Sequence, residues 1–148
     1  MATGGNCPMD TVDPKEYLHG AVTCVAVHGD IILTSQKTSI QPMMGWLSEQ
    51  RNLHSFQIAD KIVGKAAAML FVKAGISSVY AEVLSFPAKE YLEAHGIPVT
   101  CRTLTERIIN RTGTGICPME AAVLDIDDAE EGYRALQETL AKLRQAKQ

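Results

Sequence analysis

From Ala66 to Val72 the chain reads Ala-Ala-Ala-Met-Leu-Phe-Val, without one polar residue. A helix that is apolar on every face has no side to offer water, so it belongs in an interior. The run is far shorter than the roughly 20 apolar residues needed to span a bilayer. Other elements must therefore wrap around it, and its alanines let a sheet come close. The preceding Asp60 fits an N-cap, because a carboxylate accepts the free N–H groups of a first turn. Gly75 fits the residue just past the end. A buried helix from Lys61 to Ala74 is the expectation.

The flanking pattern alternates between strands and helices. Ala21–Val27 and Ile31–Ser35 read as strands joined through Gly29, which suits the positive φ of a tight hairpin. Pro42 suits the first turn of a helix, with Met43, Met44 and Leu47 as its apolar stripe and Asn52 as its stop. Gly45 weakens that helix by roughly 1 kcal/mol relative to alanine. Further strands are expected at Phe56–Ala59, Ile76–Leu84 and Val99–Leu104. Ser85-Phe86-Pro87 opens a helix that ends at His95-Gly96, and Thr105–Asn110 fits a helical turn. Met119–Leu124 fits either a helical turn or a strand. Asp127 and Glu130 have capping-box spacing and open a last helix with Tyr133, Leu136, Leu140 and Leu143 on one stripe. This order predicts an α/β domain, with a sheet made mixed by the opening hairpin. The domain would occupy residues 14–148, behind a loose arm over residues 1–13.

Hydrophobic content of 46% with 21% charged residues argues for a packed core rather than disorder. The net charge of -3 argues against an extended nucleic-acid surface. The first residues lack a basic start followed by an apolar run, and no segment fits a membrane span, so a cytoplasmic location is expected. Cys7, Cys24, Cys101 and Cys117 show no C-x-x-C spacing and are expected as free thiols. Cys24 and Cys101 fall inside strands, which makes them core residues. His19, His28, His54 and His95 share no ligand spacing, so neither a metal nor a cofactor is expected.

Two stretches could carry chemistry. A helix start bears roughly half a positive charge and unpaired N–H groups. On a helix from Lys61, Lys61 and Lys65 lie four apart on one face, and Gly64 leaves the backbone open between them. Donors, dipole and two cations together make an anion site. The plainer alternative sends both lysines to solvent and leaves Asp60 as a cap, not a base. The second stretch is Arg111–Glu120. Gly113 and Gly115 can form a backbone nest for an anion, but no Gly-Lys-Ser/Thr follows, so this is not a P-loop. Cys117 precedes Pro118, and a thiol at a helix start is a better nucleophile. The alternative is a half-buried, inert cysteine. Asn110 and Glu120 become partners only if the loop folds back.

Three segments carry a family resemblance: Asp60-Lys61-Ile62-Val63-Gly64-Lys65-Ala66-Ala67-Ala68, Tyr80-Ala81-Glu82, and Ile109-Asn110-Arg111-x-Gly113-Thr114-Gly115-x-Cys117-Pro118-Met119-Glu120. The chain resembles, over roughly Ala21 to Leu136, a domain-of-unknown-function family of small prokaryotic proteins with a cytidine-deaminase-like fold. The resemblance implies a three-layer α/β/α architecture. The helix from Lys61 would then stand where a deaminase carries its H/C-x-E motif, and the helix from Pro87 where it carries P-C-x-x-C. Ala88 and Tyr91 would fall at the two cysteine positions, and neither holds zinc as a thiolate does. Deamination of this type needs zinc-bound hydroxide and a glutamate that shuttles protons, so no zinc-dependent deamination is expected.

Three functions remain open from the sequence. The first is a zinc-free protein binding a small anion or nucleotide through Asp60, Lys61, Gly64, Lys65, Asn110, Arg111, Gly113 and Gly115. The second is a transferase or hydrolase with Cys117 as its catalytic nucleophile. The third is a non-catalytic interaction module, working as a homo-oligomer or docked on a partner.

Overall fold

The computed structural model describes residues 13–37, 40–106, 108 and 117–146. Its strands are β1 (Cys24–His28), β2 (Ile31–Ser35), β3 (Gln57–Val63), β4 (Ser78–Ser85) and β5 (Val99–Thr105). Its helices are α1 (Gln41–Ser48), α2 (Lys65–Ala74), α3 (Phe86–Ala94), α4 (Pro118–Ala122) and α5 (Ala129–Ala146), and a 3-10 turn spans Pro14–Tyr17. The five strands form one sheet in the order β2-β1-β3-β4-β5. β1 pairs antiparallel with β2 and with β3, whereas β3, β4 and β5 run parallel. The sheet is therefore mixed. Gly29 turns the β1–β2 hairpin at φ 57°, a conformation that costs glycine little.

β3 runs four residues beyond the expected Phe56–Ala59 strand, and this corrects the reading of the helix start. Asp60 is a strand residue, opposite Cys24 of β1 and Ala81 of β4. Lys61 also belongs to β3, and its N–H donates to the Thr23 carbonyl at 3.1 Å. Asp is depleted in strands, so local propensity favours a cap; two flanking strands override it by satisfying the backbone on both sides. The helix begins at Lys65, with Gly64 as N-cap.

α2 is the buried centre. Every residue from Ala66 to Phe71 is buried, and Val72 is half-buried. Gly75 ends it in the left-handed region at φ 77°, and the Ile76 N–H donates back to the Phe71 carbonyl at 3.1 Å. Pairs of contacts join α2 to α1, α3, α4, α5 and β3. One core unites its buried face with Cys24, Ala26, Ile58, Val79 and Ala81 on the inner face of the sheet, and with Met43, Leu92, Val123 and Leu136 from the other helices.

The opposite face is covered differently. Leu18, beside the 3-10 turn, closes a small cluster with Val25, Val27 and Ala59, while Thr100 and Arg102 on β5 stay exposed. Among the described residues, helices α1 to α5 all join the inner core, so a second full helical layer, expected from the three-layer reading, is not seen there. Thr100 and Arg102 are polar and need no apolar cover.

The ambiguous Met119–Leu124 stretch is helical, as α4. The final helix is capped by Asp128, whose Oδ2 accepts from the Glu131 N–H at 3.0 Å, rather than by Asp127. β5 extends through Thr105, so a helical turn does not start there; the rest of that turn, residues 107 and 109–110, lies outside the described residues, as do residues 1–12 with Cys7. No helix among the described residues is long and apolar enough to cross a membrane.

Candidate functional site

β3 leads into α2 and β4 into α3, so both helices start at the carboxyl edge of the parallel strands. Open sheets commonly place ligands at such an edge. The two starts are capped differently. α3 caps itself: buried Ser85 accepts from the Ala88 N–H through Oγ at 3.2 Å. α2 has Gly64 at its N-cap and so no side chain of its own to use.

Glu120 fills that gap. Its Oε1 accepts from the Lys65 N–H at 2.7 Å and its Oε2 from the Ala66 N–H at 2.9 Å. The chain has left β5 and returned through α4 to deliver this carboxylate, with the Cys117 N–H donating to the Ile108 carbonyl at 3.1 Å. Glu120 is only 8% exposed. Burial pushes its pKa up, and the Ala66 and Lys65 amides and the Lys65 charge pull against that. The start of the central helix, four residues later than expected, holds a carboxyl group supplied by the chain itself.

Gly64 makes the approach close enough. A Cβ there would lie 2.5 Å from the Glu120 carboxyl carbon. Its φ of -106° is open to any residue, so the constraint is space and not backbone conformation. Gly64→Ala is expected to push the carboxylate off the helix start and cost about 2 kcal/mol, close to the loss from removing the carboxylate itself. In a Glu120→Ala background the same change should be nearly neutral. Equal losses in both backgrounds, measured by urea unfolding, would refute the contact.

The two lysines do not act together. Lys65 sends its Nζ to the Leu124 carbonyl at 3.1 Å, while Lys61 sends its own to the Gly20 carbonyl at 2.8 Å. Sharing a face requires both to lie on one helix, and Lys61 is in β3. Asp60 is likewise away from the helix cap. It is buried on the inner face beside Cys24, and burial raises its pKa well above the ordinary range, against the pull of the Lys61 and Ile62 amides and the Cys24 thiol. The Cys24 thiol is pushed up as well, first by burial and then by the Asp60 charge.

A raised carboxyl pKa has a definite sign. Below the unfolded value, near 3.9, both states are protonated and the group has no pH-dependent effect. Above it the unfolded chain ionises first, so stability falls as pH rises toward the folded pKa. Asp60→Asn should therefore gain stability relative to the parent progressively as pH rises above the ordinary carboxylate range, about 4. A difference in melting temperature that does not change with pH would overturn the assignment.

Cys117 stands at the N-cap of α4, half-buried and packed against the core. Asn110, Arg111, Gly113 and Gly115 lie outside the described residues. Ala88 is fully buried, and Tyr91 donates its hydroxyl to the Asp127 carbonyl at 2.6 Å. Among the described residues, no group of three His, Cys, Asp or Glu side chains could hold a metal ion.

Four exposed apolar side chains belong to the same edge: Ile62 at 53%, Phe86 at 50%, Leu104 at 42% and Leu124 at 57%. They come from the ends of β3 and β5, the first residue of α3 and the segment after α4. Sequence alone gave Glu120 only a conditional role and gave this rim none. The available signal was Gly64: a helix start lacking Ser, Thr, Asp or Asn needs a cap from elsewhere.

Comparison with known proteins gives a family of unknown function. The family described as TM1506, domain of unknown function (DUF1893), matches residues 14–140. The solved structure of a DUF1893 family protein (TM1506) from Thermotoga maritima is similar at a TM-score of 0.71 and 28% identity, over 82% of this chain and 80% of that one. No curated protein matches.

Proposed function

The chain belongs to the DUF1893 family, and from that premise we propose that it binds a small anion with an apolar or aromatic body, a nucleotide being the compound class to test first. The observation that carries this reading is the Glu120 carboxylate seated on the Lys65 and Ala66 amides. Two N–H groups that donate to a carboxylate side chain offer the same hydrogen bonds to a phosphate or a carboxylate ligand. Lys65 adds a cation at that position. The rim of Phe86, Ile62 and Leu104 supplies a surface for the ligand's body. Glu120 is then a built-in competitor, and the ligand's apparent affinity is reduced by the fraction of molecules in which it is latched.

The fold reading that goes with this is a deaminase-like domain without its zinc. It is supported by two successive parallel β–α units whose helices start side by side, with Ala88 and Tyr91 at the positions assigned to cysteine ligands. Activity does not follow from a shared fold, and binding is the function proposed.

The test compares the parent protein with Glu120→Ala in a thermal-shift titration against nucleoside monophosphates, nucleosides and inorganic phosphate. A ligand at a hundred times its dissociation constant adds about 2.7 kcal/mol. The nucleotide is expected to stabilise both proteins and to bind the variant more tightly, because the competitor is gone. Phosphate alone should act on the variant more weakly than the nucleotide. A nucleotide effect that is equal in the two proteins, or absent from both, would sink the proposal.

A further inference from the structure

β2 and β5 are the two edges of the sheet, and they differ. β5 carries Arg102 at mid-strand, exposed, and a charge on an edge resists the addition of a further strand. β2 reads Ile31-Ile32-Leu33-Thr34-Ser35, with neither a charge nor a proline. Its first residue, Ile31, is 51% exposed.

The alternation of hydrogen bonds fixes which β2 groups point outward. Along an antiparallel strand, successive residues bond to opposite neighbours. The Lys61 N–H donates to the Thr23 carbonyl at 3.1 Å. Val25 and Val27 therefore turn toward β3, and Cys24, Ala26 and His28 toward β2. Their β2 partners are Ser35, Leu33 and Ile31. The two-residue turn at Gly29-Asp30 agrees, because such a turn closes on a bonded pair, here His28 with Ile31. The N–H and C=O groups of Ile32 and Thr34 are left facing away from the sheet. No hydrogen bond between described residues reaches them from that side.

We propose that β2 pairs antiparallel with β2 of a second copy of this chain, with Leu33 on the two-fold axis. This centring sets Ile32 of each copy opposite Thr34 of the other, so every outward N–H and C=O of β2 meets a partner. Centring on Ile32 or on Thr34 would leave half of them unpaired. The same register brings Asp30 of each copy opposite Gln36 of the other and beside its Lys37. Neither Asp30 nor Lys37 has an ion pair among the described residues, and the pairing supplies one at each end. That match of charges is what selects a second copy, since any strand could use the backbone groups alone. Ile31 gains cover beside Ser35 of the other copy. Only the β5 edges, each with Arg102, stay open, so the assembly closes as a dimer and does not extend into a filament. None of these residues belongs to the edge where Glu120 sits, and the inference does not depend on the function proposed for that edge.

Sedimentation velocity of the full chain, from dilute to concentrated solution, tests this. A reversible monomer–dimer equilibrium is expected. Thr34→Pro removes an outward N–H and no internal one, and proline is tolerated on an edge strand. It should weaken dimerisation at least about tenfold while the far-UV circular dichroism stays that of the parent. Asp30→Lys should weaken it too, by setting two lysines side by side, and Asp30→Lys/Lys37→Asp should recover it. A monomer at every concentration, or a dimer of the parent's strength in folded Thr34→Pro, would overturn the proposal. If Thr34→Pro does not fold, the charge exchange decides: dimerisation that ignores Asp30→Lys, or that the double exchange fails to recover, overturns it.

Discussion

Replacing Glu120 by alanine is expected to lower the unfolding free energy by about 2–3 kcal/mol, and the melting temperature by roughly 6–10 °C. Two hydrogen bonds, at 2.7 and 2.9 Å, disappear together. The amides they leave open belong to a helix start with no side-chain cap of its own. Ala66 is 1% exposed, so water does not easily replace the lost acceptor there. Against this stands relief from burying a carboxyl group, whose raised pKa shows that desolvation outweighs the favourable contacts with the charged form. That opposing effect keeps the expected loss below the sum of two isolated charge-assisted bonds. Glu120→Gln should lose less than alanine, since the amide keeps one carbonyl acceptor but turns an NH2 toward the second N–H. Urea unfolding at constant m-value measures both. Added acetate, the same carboxylate set free, should restore part of the loss in Glu120→Ala and leave the parent unchanged. A loss within about 0.5 kcal/mol, the range of ordinary surface changes, would mean the contact contributes nothing.

Phe71→Ala should cost more, about 3–5 kcal/mol. Phe71 is the largest of the fully buried side chains, at 0% exposure, and it lies in the helix to which every other helix is joined. Removing its ring takes away both apolar burial and the contacts of the atoms around it. The neighbouring turn of α2 cannot refill the space, because Ala67 and Ala68 carry a single methyl group each. Val72→Ala, one residue on and half-buried, is the control: it changes less volume in a place that water reaches. The loss from Phe71→Ala should be at least about twice that from Val72→Ala. Similar losses would show that the interior around α2 closes up on the cavity, contrary to the rigid packing assumed here.

What the sequence reveals well is what a few neighbouring residues decide. The apolar run from Ala66 to Val72 identifies the interior helix. Gly29 and Gly75 mark two of the places where the backbone turns to positive φ, and Pro118 opens a helical turn. The errors arise where distant residues decide. Asp60 has the local chemistry of a cap, but Cys24 and Ala81, its strand partners, make it part of the sheet. That single displacement also separates Lys61 from Lys65, which the helical reading had placed together. Glu120 was hard to assign for the same reason. Its two donors are 55 and 54 residues earlier in the chain, and no local periodicity connects them.

That separation gives the protein an order of assembly. The β1–β2 hairpin needs only a short stretch of chain, but the start of α2 stays open until the segment beyond β5 has come back across the edge. During synthesis the first residue of the central helix must therefore wait for 55 more residues, over a third of the chain, before its cap exists. The Lys65 and Ala66 amides should be among the last in α2 to become protected from hydrogen exchange, and a chain stopped short of Glu120 should leave them unprotected while the hairpin is already formed. A segment made long after the helix thereby closes its start, and its arrival is felt at the centre of the molecule.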